Sequence, residues 1–491
     1  MRAAALLLAA LVLAAGCTAP APATTSPAPA PAPQALAGGW RLDCDLGSHE
    51  RALNASWGQL CEARASHNPG PKEENWIAIN PTDPRNVVVG AKDLDPSSSG
   101  HCVWNGVFVT HDAGASWRDV TIGGKFSERQ PGDPTYGYWC NTDPDFQFTA
   151  NGDLHYGIEM YDFMGLEKDR GLSTPVSSVG WKVLLATSHD GGDTWPDIVT
   201  YQPDLVLVTD YSRMTVNPKT QAIVESIGSG LVTCHVMVST DNGKSALFYN
   251  AVTPMGSPCS SNNGAIAGSP AGTLVIVGNG IAARSTDDGK TWADANAIFA
   301  FKDIQKFKES KYRNGSNLEL AYDLTDGARK GTLYAAYGAA DRDEADVFVR
   351  SSTDDGKTWS EAVLVNDDAP GTHQWMPNVA VAGDGSVHVV FMDKRYDAAH
   401  DHTYIDYTHA VSLDGGKTWA NERISTLGYD GDLGVHQDGG SFIGDYLGVA
   451  AVGDDVWAGF PDASNGHVTL VAAAHMHRTP LSPGEKRQGF L

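Results

Sequence analysis

From residue 76 onward the chain is a succession of short apolar runs separated by polar, glycine-containing breaks. The runs come in pairs, at 76–80 and 86–90, 146–149 and 154–160, 214–217 and 222–227, 265–268 and 273–278, 318–323 and 332–337, and 378–381 and 386–392. Each pair leads to a third run, such as Val107-Phe108-Val109, Leu184-Leu185-Ala186, His235-Val236-Met237-Val238 or Val347-Phe348-Val349. Runs this short, rich in β-branched and aromatic residues and bounded by turn residues, predict strands. No stretch carries a long amphipathic helical pattern, and 53 glycines spread through the breaks suit hairpins. A final set at 447–452, 455–459 and 467–473 repeats the three-strand pattern.

One turn recurs after the third runs. Ser352-Thr353-Asp354-Asp355-Gly356-Lys357-Thr358-Trp359 has near copies at 285–292, 188–195 and 412–419 and a looser one at 110–117. A sixth copy, at 239–245, keeps the Asp and Gly but has Ala246 where the Trp would stand. The Asp side chain accepts backbone N–H bonds inside its own turn, the Gly supplies a positive φ, and the Trp buries a large ring against the hairpin's neighbour. An acid repeated six times in this setting is architectural rather than catalytic.

The signature Ser/Thr-x-Asp-x-Gly-x-Ser/Thr-Trp resembles the Asp-box, or BNR repeat, of the sialidase superfamily, and the resemblance covers residues 73–477. It implies a β-propeller with its Asp-boxes on the face opposite the active site. It does not imply sialidase activity, since function resides in the site and not in the fold. The strand sets predict an all-β fold, a propeller of seven four-stranded antiparallel blades, or six if the last set completes the first blade. A strand from the N-terminal region is expected to complete the last blade and close the ring.

The N-terminus changes the picture of where the domain sits. Arg2 and an apolar run end in Leu13-Ala14-Ala15-Gly16-Cys17, which resembles a bacterial lipobox and implies cleavage before Cys17 and lipidation of its thiol. Residues 1–16 are thus a lipoprotein signal peptide, 17–39 an Ala/Pro-rich tether, 40–72 a disulfide-bonded segment, 73–477 the propeller and 478–491 a tail. The expected location is outside the cytoplasm, lipid-anchored at the cell surface or outer membrane, with no other membrane contact. Of 7 cysteines, removing Cys17 leaves an even number, expected to pair locally as Cys44–Cys61, Cys102–Cys140 and Cys234–Cys259. A net charge of −24 disfavours nucleic acid. No CxxC or HxxxH spacing points to a metal ligand set, so no cofactor is expected, although the acid-rich channel leaves room for a cation such as calcium. A monomer acting on a carbohydrate or glycoconjugate is the expected arrangement.

Residues just before each first strand and just after each second strand should line one mouth of the channel, opposite the repeated turns. The list is rich in acids. Glu74, Asp143, Asp210 and Asp445 are candidates for acid, base or nucleophile, and Tyr446 is a candidate nucleophile beside Asp445. Arg213, Arg342 and Arg395 are candidates to clamp a substrate carboxylate, and Trp139 and Trp375 to stack on sugar rings. Insertions at 123–141 and 428–440 should overhang this mouth, with His373 and His436 nearby. The superfamily has an arginine triad with one member in an Arg-Ile-Pro motif. Here the matching stretch reads Glu74-Asn75-Trp76-Ile77-Ala78, so no triad member is carried over. Three readings stand: a sialidase-like glycoside hydrolase, a non-catalytic glycan- or protein-binding propeller, and, more weakly, a polysaccharide lyase. Two carboxylates converging in an open pocket favour the first, and a channel plugged by aromatic rings favours the second.

Overall fold

A computed structural model of the chain describes residues 39–42, 62–66, 72–93, 104–122, 140–162, 180–201, 209–229, 233–259, 264–396, 404–433, 435–437, 440–463 and 470–478. The fold is a β-propeller of seven antiparallel blades. Blade one comprises Lys72–Ile79, Val87–Asp93, Trp104–Thr110 and Arg118–Thr121, paired in chain order from the channel outward. Blades two to six repeat this order from inner strands Cys140–Phe148, Thr209–Val216, Ala265–Gly268, Leu318–Tyr322 and Gln374–Val381. Each inner strand packs beside the next, and the last returns to the first, so the ring closes.

Blade seven shows how it closes. The C-terminal part supplies Gly448–Val452, Asp455–Asp462 and Leu470–Arg478. The N-terminal region supplies the outer strand in two pieces: Trp40–Leu42 pairs with the end of Leu470–Arg478, placing Leu42 opposite Met476, and Glu62–Arg64 pairs with its middle, placing Glu62 opposite Ala474. Joining the two chain ends in one sheet removes an exposed edge.

The blades are held together by apolar layers between adjacent sheets. Phe146 stacks on Tyr156 with ring centroids 4.2 Å apart and lies over Gly90 of blade one, where a Cβ would come within 2.0 Å of its ring. The close approach of blades one and two therefore requires glycine there. The Cys234–Cys259 disulfide is present, with an S–S distance of 2.06 Å. The other two expected pairs rest on Cys44, Cys61, Cys102 and the Cys140 side chain, outside the described residues, as do Cys17 and the tether.

The repeated turns lie on the face reached by the ends of the inner strands. In the 352–359 turn, Asp354 Oδ1 accepts from Ser352 Oγ at 2.7 Å and from the Thr358 N–H at 2.9 Å, Oδ2 accepts from Thr358 Oγ1 at 2.7 Å, and Ser352 Oγ accepts the Gly356 N–H at 2.8 Å. Asp112, Asp190, Asp241, Asp287 and Asp414 repeat this pattern. Every turn carboxylate is thus satisfied inside its own turn.

Candidate functional site at the channel mouth

Four of the inner strands begin earlier than their apolar runs suggest, because each of these passes through a bulge. In four blades the pairing slips, between Glu73 and Trp76, Thr142 and Asp145, Asp210 and Ser212, and Trp375 and Asn378. Each slip contains one non-glycine residue with positive φ: Glu74 at 53°, Asp143 at 53°, Tyr211 at 61° and Met376 at 50°. In blade seven Gly444, with φ 92°, stands just ahead of Asp445 and Tyr446. L-residues rarely adopt this backbone, and bulges re-aim side chains at sheet ends. Strain repeated around one mouth marks it as a functional candidate.

Glu74, Asp143, Asp445 and Tyr446 come together there. The Tyr446 hydroxyl donates to Asp143 Oδ1 at 3.3 Å. Lys92 Nζ lies 3.6 Å from Glu74 Oε2 and 5.0 Å from the centre of the Phe442 ring. The Arg313 guanidinium lies 4.6 Å from the centre of the same ring and bonds Asp445 Oδ2 through Nη2. Glu73 sits directly opposite Lys92 in the sheet register. Glu73, Glu74, Asp143 and Tyr446 are buried, whereas the Asp445 and Arg313 side chains are 31% and 57% exposed and form the rim.

Burial sets the ionisation here. It pushes the Glu74 carboxyl up to about 8, with Asp143 and Asp445 adding to the rise and Lys92 opposing it. It drives Glu73 well above the usual carboxylate range and raises Asp445, which Arg313 pulls back. For Lys92 burial acts downward but is outweighed by Glu74, Asp143, Glu73 and Asp445, so the ammonium is held more firmly than usual. Glu74 therefore carries its proton at neutral pH beside a lysine that stays charged.

Beneath this rim the channel is closed. Arg213 is 2% exposed and lies 4.1 Å from the Tyr211 ring centre, 4.2 Å from that of Tyr446 and 4.7 Å from that of Trp76. Its Nε donates to Glu319 Oε1 at 2.9 Å, and Tyr211 donates to the same oxygen at 3.3 Å. Below, a cavity of about 440 Å³ is lined by residues of all seven inner strands, Arg213 and Glu319 among them. Glu225, beside Arg213's blade-mate Ser212, is pushed up to about 8 by burial, its carboxyl pressed against Gly157.

Comparison with known proteins adds a limited amount. No protein-family profile matches the chain. A sialidase from Clostridium perfringens is 40% identical over 57 residues, a stretch that is 10% of this chain and 15% of that protein. Among solved structures, a protein of unknown function from Dyadobacter fermentans has 14% identity and a TM-score of 0.44, covering 85% of this chain and 98% of that one. A NanB sialidase variant from Streptococcus pneumoniae has 9% identity and a TM-score of 0.47, covering 77% and 73%. Trypanosoma rangeli sialidase has 13% identity and a TM-score of 0.40, covering 72% and 55%. Likenesses this distant assign no residue of this chain a role.

The remaining candidates lie elsewhere. The three arginines do not meet. Arg342 bonds Asp346 at 2.5 Å and Arg395 bonds Asp393 at 2.6 Å, in an acid network between blades five and six, while Arg213 is spent on Glu319 in the channel. Trp375 has no exposed surface and packs against Phe307 at 5.2 Å, so it offers no face to a sugar. It is buried because Phe307 and Tyr312, from the segment between blades four and five, pack against it. His373 stacks on Phe307 at 4.1 Å between Glu309 and Glu344. Trp139 and the side chains of Asp210 and His436 are outside the described residues. Among the described residues no group of three or more His, Cys, Asp and Glu is arranged to hold a metal ion.

Two members of the site are given no catalytic or binding role by the sequence. Lys92 is the next-to-last residue of the second strand of blade one, Val87–Asp93, a position that the mouth rule covers. Arg313 lies in the strand-free segment between blades four and five, and no local pattern signals it.

Proposed function

We propose that the protein is a glycan-active propeller that cleaves an extracellular glycosidic bond at the channel mouth, anchored through Cys17. The observation that carries this reading is Glu74, a carboxyl that keeps its proton at neutral pH in the electrostatic reach of Asp143 and Asp445. Glycoside hydrolysis uses two neighbouring carboxyls in unlike settings, one to protonate the leaving oxygen and one to act as base or nucleophile, and here Glu74 is buried while Asp445 stands at the rim beside Arg313. Glu74 is the acid, and Asp445, at the rim, is the base or nucleophile. Tyr446 and Asp143 form the hydrogen-bonded pair beside them. The repeated turns, read as Asp-boxes, and the 57-residue likeness to a sialidase support this class of enzyme. The separation of Arg213, Arg342 and Arg395 argues against a three-arginine clamp on a sialic acid carboxylate.

A screen of chromogenic glycosides and glycans on the chain from Gly38 onward tests it. Turnover that disappears in Asp445→Ala and in Glu74→Gln is the expected result. A second reading, glycan binding without cleavage, is favoured by the plugged channel and by the Lys92–Glu74 and Arg313–Asp445 pairs. Binding on a glycan array with no turnover of any glycoside would select it.

A further inference from the structure

Arg313 does not have the setting of an ordinary surface arginine. Its segment, residues 298–317, leaves blade four and crosses to the insertion ahead of blade seven. It is folded on itself by bonds from the Ile304 N–H to Ser316 Oγ at 2.9 Å and from the Phe307 N–H to Asn314 Oδ1 at 3.0 Å. It is tied down by Lys394, whose Nζ reaches Glu309 at 2.7 Å and Ser310 at 3.0 Å. The residues flanking Arg313 are fixed as well. Lys311 donates its N–H to Asp432 Oδ1 at 2.7 Å, and the Tyr312 ring is fully buried, stacked on Trp375 at 6.1 Å. Arg313 itself donates its N–H to the Ser441 carbonyl at 3.3 Å, and its guanidinium lies over Phe442. With its backbone held and its guanidinium over Phe442, the Arg313 side chain has less freedom to lose on meeting Asp445, which lowers one of the costs that keep surface ion pairs weak.

We propose that Arg313 is a positioning residue of the mouth, a clamp that fixes Asp445 in one orientation and so assigns it the base's or nucleophile's part while Glu74 supplies the proton. The inference rests on the hydrolase reading above. Asp445 is faced by Arg313 from the crossing segment, by Asp143 of blade two, by Glu73, Glu74 and Lys92 of blade one, and by Tyr211 of blade three. Several of these neighbours are acids, and with Lys92 alone to oppose them Asp445 would compete with them for protons. The Phe442 ring lies within cation–π distance of both Lys92 and Arg313, one serving Glu74 and the other Asp445.

The test needs no substrate. In the chain from Gly38 onward, the Asp445 side-chain carbon is followed by NMR against pH, identified by its loss in Asp445→Asn. Arg313→Gln is expected to raise the midpoint by about one pH unit, a tenfold tighter proton, and Arg313→Lys to recover part of it. An unmoved midpoint in Arg313→Gln overturns the proposal. On any glycoside that the chain turns over, Arg313→Gln should lower kcat more than it raises KM and move the acidic limb of the pH profile upward. A change in KM alone makes Arg313 a substrate contact and also overturns it. A chain that cleaves no glycoside sinks the hydrolase reading instead, and the carboxyl midpoint still decides whether the clamp exists.

Discussion

The Tyr446 hydroxyl donates to the Asp143 carboxylate at 3.3 Å, joining residues 303 positions apart. The Tyr446 ring is wedged edge-on between Trp76 and Tyr211 above the Arg213 guanidinium, so packing fixes the hydroxyl's direction. Tyr446→Phe should keep the ring in place and remove only this bond. We expect a stability loss of about 1 kcal/mol, the usual net worth of one hydrogen bond, read from urea midpoints. Activity or glycan binding should fall on the order of a hundredfold. Wild-type activity in Tyr446→Phe would remove the phenol from the site.

Glu74 and Glu225 give the pH dependence of folding a definite sign. Both carboxyls are held near 8 in the folded chain, against about 4.5 for an unperturbed glutamate, chiefly by burial. The folded state binds more protons than the unfolded state between these values, so their contribution is complete below about 4.5 and is lost as pH rises through about 8. Glu225→Gln, neutral at every pH, should flatten the fall in denaturant midpoint between pH 5 and pH 8.5, approximate limits set by this linkage. The same slope in wild type and variant would mean that Glu225 titrates normally.

The parts of this architecture that repeat are the parts legible in the sequence. The turn around Asp354 and its copies, the strand pairs between them, and the closing set from residue 447 are each fixed by local chemistry, and the ring follows from stacking them. Glu74, Asp143 and Asp445 were legible for the same reason, since topology alone brings the heads of the inner strands to one mouth. Arg313 was not, because it stands on a segment without periodicity and meets Asp445 across 132 positions. Arg342 and Arg395 do not join Arg213, and a local signal in the sequence accounts for it. Asp346 lies four residues after Arg342 and Asp393 two before Arg395, each close enough to take the charge. Arg213 belongs to the head of an inner strand, and its position below the rim emerges only once the side chains of three blades are packed around it.

The turn acids should be separable from the site. Asp354 is held down to about 2, where burial acts upward but is outweighed by its bonds to Thr358, Ser352 and the Lys357 backbone. Asp354→Ala breaks those bonds on the face away from the mouth. It should cost about 1–2 kcal/mol of stability and leave turnover or glycan binding unchanged at a temperature where the variant is folded. Lost activity in a folded Asp354→Ala chain would place chemistry on the turn face.

The N-terminal strand of blade seven should loosen in acid. Trp40 meets the ring of His388 edge-on at 4.4 Å, and His388 Nδ1 lies 2.8 Å from His409 Nε2 behind it, with Ser386 Oγ 2.8 Å from the other nitrogen of His388. Both imidazoles are fully buried and packed face to face at 5.1 Å, so two positive charges have no place there. Burial lowers His388 to about 3, and burial together with its neighbour holds His409 well below the usual histidine value of 6.5. A depressed histidine stabilises the fold fully above its unfolded value, and that stability is lost as pH falls from about 6.5 toward about 3. The denaturant midpoint should therefore drop over this range. The double variant His388→Gln, His409→Gln should show a shallower drop, leaving the share of the other groups with lowered values, the turn carboxylates and the buried His155 among them. An identical acid slope in wild type and double variant would mean that the pair does not hold the Trp40 strand against acid.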